Sequence, residues 1–168
     1  MLTLAQASTI VDAALKKGRD LNLLPLTVAV LDAGGQLKAL KREDGASLLR
    51  PEIALGKAWG VLGMGFGGRE LARRAAQAPV FFAALSDLSG GKMVPVPGGV
   101  LIRAAGGAIA GFGGGAIAGL AGGAIAGFAG GAIVGSVGIS GDASEKDEEC
   151  AVAGIAAAGL RADTGAPA

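Results

Sequence analysis

Residues 106 to 137 read GGAIAGFGGGAIAGLAGGAIAGFAGGAIVGSV, an eight-residue phrase repeated four times. No other feature restricts the fold so tightly. From Ala104 to Gly141 no residue is charged, and Gly107, Gly111, Gly115, Gly119, Gly123, Gly127, Gly131 and Gly135 fall at every fourth position. On a helix such a row permits close backbone approach, as between membrane helices. In water the same glycines oppose a helix, each costing ~1 kcal/mol relative to Ala. One helix over the whole stretch would also reach roughly 57 Å, nearly twice a hydrocarbon core of ~30 Å. Two arms turning near Gly122 and Gly123 fit better, as short spanning helices or as β-strands. An even repeat keeps the two-residue strand period in phase. Ile109, Ile117 and Ile125 would then share one face, with Phe112, Leu120 and Phe128 on the other. These six are the candidate residues for self-association or membrane contact, within a possible contact stretch of 104–141. Two other readings stay open: a passive surface excursion, because loop-closure cost rises slowly with length, and a wall enclosing a cofactor.

The remaining residues exclude much. The chain has 168 residues, enough for one domain, and Lys and Arg total 15 against 14 Asp and Glu. With net charge +1, one Trp and no Tyr, no basic stripe or stacking platform favours nucleic acid. Cys150 is the only cysteine, so an intramolecular disulfide is excluded. There is no histidine, which removes Ser-His-Asp and Cys-His catalysis and the usual imidazole metal ligands. The start, MLTLAQAS, lacks a basic region followed by an apolar run, so a cytoplasmic location is expected, with membrane association the alternative the repeat offers.

Thr3 and Gln6 form a capping-box pair ahead of Leu4, Ala7, Ile10, Val11, Ala14 and Leu15 at helical spacing, with Gly18 as the stop. LTVAVLD and QLKALKRED around AGG predict a hairpin. RPEIALGKAWGVLGM and GRELARRAAQ predict two helices. VFFAALSDL fits helix or strand, and KMVPVPGGVLIR predicts an extended segment leading to Val100–Arg103. GSVGIS predicts a strand and ASEKDEECAVAGIAAAGL a last helix with acids in its first turn. GMGFGG at 63–68 lacks the Lys-Ser/Thr ending of a phosphate loop and predicts an interhelix turn. This order predicts an α+β fold, an antiparallel sheet flanked by helices.

AVLDAGGQLKALKREDGASLLRPEIALGKAWG, PVPGGVLIR and GSVGISGDASEKDEECAVAGI together resemble the GlcG/HbpS family, related to the C-terminal domain of PduO. The resemblance covers nearly all of residues 2–162 except the repeat. It implies a profilin-like sandwich over 1–168 that self-associates into homo-oligomers, and for some members a haem or related tetrapyrrole ligand. Joining VLIRAA to GGAIVGSVGISGD would leave a short hairpin, so 106–129 is expected to be a tandem expansion within it. The resemblance meets one departure besides the repeat: no histidine can hold haem iron. The remaining soft or basic candidates are Met64, Met93, Cys150 and Lys57, with Met64 and Cys150 also fitting plain core packing.

Three functional readings follow. The first is an oligomeric small-molecule-binding protein, its ligand a tetrapyrrole or a small organic acid, with Arg42, Asp44, Lys57, Gly98 and Gly99 as candidate binding residues. In it Arg42 and Lys57 hold an anion and Asp44 orients them. The second is an assembly or membrane-contact scaffold that uses the repeat. The third is an enzyme acting on a small carboxylate with Arg42, Asp44 and Lys57; no catalytic set is assigned. Asp142, Glu145, Asp147 and Glu148 could form a weak divalent-cation site, although acids matching the helix dipole are the better explanation.

Overall fold

A computed structural model describes residues 1–105 and 131–166. The elements run α1 (Leu4–Asp20), β1 (Thr27–Asp32), β2 (Leu37–Arg42), α2 (Arg50–Met64), α3 (Gly68–Gln77), α4 (Pro79–Leu88), β3 (Gly99–Arg103), β4 (Ile133–Ser140), α5 (Ser144–Ala157) and β5 (Arg161–Asp163). The strands make one sheet in the order β2-β1-β4-β3-β5, and every pair is antiparallel. Helices α1 and α5 cover one face and α2 the other, with α3 and α4 appended beyond α2. This is the expected α+β architecture, in three layers.

Local chemistry explains the ends. Thr3 Oγ1 accepts from the Gln6 backbone N–H at 3.1 Å, and Gln6 Oε1 accepts from the Thr3 N–H at 3.1 Å, so the capping box closes α1. VFFAALSDL resolves to helix: Pro79 opens α4 at a position where its missing N–H costs nothing. The GMGFGG segment is the turn between α2 and α3. Pro97 and Pro95 precede β3 and stay outside it, which leaves β3 free to pair on both sides.

Strand alternation sorts the core into two parts. Val28, Val30, Val100, Ile102, Val137 and Ile139 point towards α1 and α5, where Ile10, Val11, Cys150 and Ile155 meet them. On the α2 side, Leu101 joins Val61, Leu71, Phe82 and Met93. Across this second face Ala29, Gly138 and Gly99 lie in register on β1, β4 and β3 and leave a row almost without side chains. Helix α2 rests on that row. A Cβ at Gly138 would overlap the Ala54 carbonyl oxygen, and one at Gly99 would stand 2.6 Å from that of Lys57. Ser136 Oγ donates to the Ala58 carbonyl at 2.8 Å, fixing the helix to the sheet.

β3 and β4 are paired up to the border of the repeat, where the Ala104 N–H donates to the Ala132 carbonyl at 2.9 Å. Ile109, Phe112, Ile117, Leu120, Ile125 and Phe128 lie outside the described residues. Among the described residues, no helix is long and apolar enough to cross a membrane.

Candidate functional site

Lys57, Gly98 and Gly99 meet beneath α2, together with Asp147 of α5. Lys57 is only 3% exposed, and its Nζ donates to Asp147 Oδ2 at 2.9 Å. The ammonium reaches the carboxylate because Gly98, at φ +97, has no side chain: a Cβ there would lie 2.8 Å from Nζ. Asp147 Oδ1 accepts from the Asp142 backbone N–H at 3.2 Å. Burial pushes the Asp147 carboxyl above its ordinary range, while the Lys57 charge and hydrogen bond pull against it. The pair ties α2 to the start of α5 and offers no free charge to a ligand.

Arg42 and Asp44 lie elsewhere, bordering a surface hollow with Arg19, Pro25 and Glu43. The Arg42 guanidinium donates to the Ala46 carbonyl across the bend after β2. The structure therefore brings Lys57 to the glycines and leaves Arg42 and Asp44 as a second group.

The four acids named as a candidate cation site each have a different setting. Asp142 Oδ2 accepts from the Leu24 N–H at 2.8 Å and Oδ1 from the Ala143 N–H at 2.7 Å, contacts that lower its carboxyl pKa. Asp147 takes Lys57. Glu148, 4% exposed, takes Arg69 at 2.7 Å, and its buried Oε2 has no partner among the described residues. Glu145 borders a shallow hollow with Arg69, Lys146 and Glu149. Lys146 and Arg69 interleave with the acids, and among the described residues no three metal-capable side chains converge.

Among the described residues, one apolar concavity is not foreseen by the sequence reading. A cleft of about 350 Å³ opens between α2 and the β1–β2 hairpin, lined by Leu31, Gly35, Leu37, Glu52, Leu55, Gly56, Trp59, Gly91 and Lys92. Glu52, Leu55, Gly56 and Trp59 follow i, i+3, i+4, i+7 spacing along one face of α2. That spacing around the single Trp was the available signal. Its walls are apolar, with one acid and one base, and its volume falls within the ~300–1,000 Å³ usual for small-molecule sites.

The side chains named as alternatives to histidine for iron do not line this cleft. Cys150 is fully buried on the α1–α5 face, where burial pushes its thiol up to about 11. Met93 belongs to the cluster of Leu71 and Phe82, and Met64 packs against it. Lys57 is committed to Asp147.

A family model described as haem degrading protein HbpS-like matches residues 2–118. The chain belongs to the HbpS-like family. Among solved structures it is similar to HbpS, at 28% identity and TM-score 0.68, over 92% of this chain and 88% of that one. A PduOC–haem complex shares the fold at 24% identity and TM-score 0.72, covering 95% and 96% of the two chains. Klebsiella pneumoniae protein ORFY does so at 23% and 0.69, covering 94% and 90%. A comparison with curated proteins found no match.

Proposed function

We propose that this HbpS-like protein binds a tetrapyrrole, haem being the ligand that the family description points to, in the cleft between α2 and the β1–β2 hairpin. The observation that carries the reading is the apolar lining of that cleft around Trp59. A flat macrocycle loses water from both faces on entering it, and the indole ring of Trp59 supplies an aromatic surface against which it can lie. Lys92 lies at the same cleft and suits a carboxylate on the macrocycle's edge. Hemin titration followed by Trp fluorescence tests this directly, because Trp59 is the only tryptophan. Saturable quenching is expected, with affinity falling on the order of tenfold in Leu55→Asp. Binding that survives Leu55→Asp unchanged places the ligand elsewhere.

A homo-oligomeric state is a second reading, favoured by one observation. On α4 only Phe82 is buried, while Val80, Phe81 and Leu88 are 83%, 56% and 84% exposed. A second copy covering this helix would remove that apolar surface from water. Sedimentation of the full chain beside Phe81→Asp tests it: a smaller particle for the variant is expected, and identical particles rule out this helix.

A further inference from the structure

We infer that the cleft grips its ligand through the macrocycle and its carboxylates, and that iron contributes nothing to affinity. The inference rests on the tetrapyrrole reading above. Of the residues lining the cleft, Leu31, Leu37, Leu55 and Trp59 are apolar and offer no iron ligand, and the glycines contribute only backbone. The Lys92 ammonium donates hydrogen bonds and has no lone pair for a metal. Its natural counterpart is a propionate-type carboxylate, present with or without iron. Glu52 alone brings an anionic oxygen.

Assembly adds no imidazole or phenolate. A second copy carries the same sequence, without histidine or tyrosine, so it can donate neither imidazole nor phenolate. Its cysteine is buried beneath α1, and Met64 and Met93 are held in the cluster below α2. Within one copy the exposed Met1 precedes Leu2, which packs in the core on the opposite face of the sheet from the cleft. Glu52 apart, the cleft lining therefore lacks the donors that distinguish an iron porphyrin from a bare one, while its apolar walls and Lys92 suit the shared organic framework.

The test compares hemin with metal-free protoporphyrin IX, each titrated into the full chain with Trp59 fluorescence as the readout. Dissociation constants within about threefold of each other are expected, and Lys92→Gln should weaken both alike, by roughly tenfold. Hemin binding more than about tenfold tighter than protoporphyrin overturns the inference and leaves the tetrapyrrole reading intact. A selective loss of hemin affinity in Glu52→Gln, with a shifted Soret band, also overturns it by identifying Glu52 as an iron ligand. If neither porphyrin binds, the tetrapyrrole reading fails and this inference with it.

Discussion

Two rows of residues cross the sheet one position apart and are built in opposite ways. Val30, Val137 and Val100 lie in register and face α1 and α5. Ala29, Gly138 and Gly99 lie in register and face α2. The first row fills its layer with branched side chains and is stabilised by apolar burial. The second removes side chains so that a helix backbone can settle on a sheet backbone. The close helix fixes where Lys57 meets Asp147 and where Trp59 meets the hairpin. One face supplies bulk, and the other supplies position.

The largest effect should come from filling the small row. Gly138→Ala forces a Cβ onto the Ala54 carbonyl, with the Ala58 nitrogen 2.7 Å away, and neither backbone atom can rotate aside. We expect a loss of more than about 4 kcal/mol, or no cooperative urea transition at all. A variant within about 1 kcal/mol of the parent would mean that α2 does not rest on the sheet in solution.

Next comes the charge held beneath α2. Asp147→Ala leaves the Lys57 ammonium buried and unpaired, which should cost roughly 3–5 kcal/mol in urea unfolding. Replacing both members, Lys57→Met with Asp147→Leu, should recover most of that loss, because no charge is then stranded. A double variant as unstable as the single one would show that the pair is needed for packing geometry and not only for charge balance. Smaller again is Val137→Ala in the valine row. It leaves a cavity that neighbouring side chains can partly close, for about 2 kcal/mol.

The contrast between the rows also explains what could be read from sequence. Val28, Val30, Ile10 and Val11 announce a strand and a helix by period alone, and Thr3 with Gln6 announces the helix start. The three-residue β5 has no such signature, since pairing with β3 creates it. Lys57 within IALGKAWG looks available to a ligand because the partner that buries it, Asp147, is 90 residues away. The role of Trp59 is hidden in the sequence for a related reason. The cleft exists only once the β1–β2 hairpin stands beside α2, and no local pattern encodes that juxtaposition. The acids at the start of α5 were legible as a cluster but not as separate partners of Leu24, Lys57 and Arg69.

The smallest effect compares two carboxylates in acid. Glu70 is held by Arg73 and then Arg74, which draw its pKa from 4.5 to about 2. Between those values the unfolded chain binds the proton more tightly. Its contribution is therefore complete above about pH 4.5 and is lost as pH falls towards 2. Asp147 behaves oppositely. Burial raises it from 3.8, the folded protein holds the proton more tightly, and its contribution declines as pH rises through the native value. Urea unfolding at intervals from acid to neutral pH separates the two. Glu70→Gln should flatten the loss of stability on the acid side, and Asp147→Asn should remove the opposing slope. The Glu70 effect should be slight, because water reaches its arginine partners and screens the attraction. Unchanged curves for Glu70→Gln would mean that its arginines hold it only transiently. An unchanged slope for Asp147→Asn would mean that solvent reaches the buried pair, and the contrast between an exposed and a desolvated carboxylate would disappear.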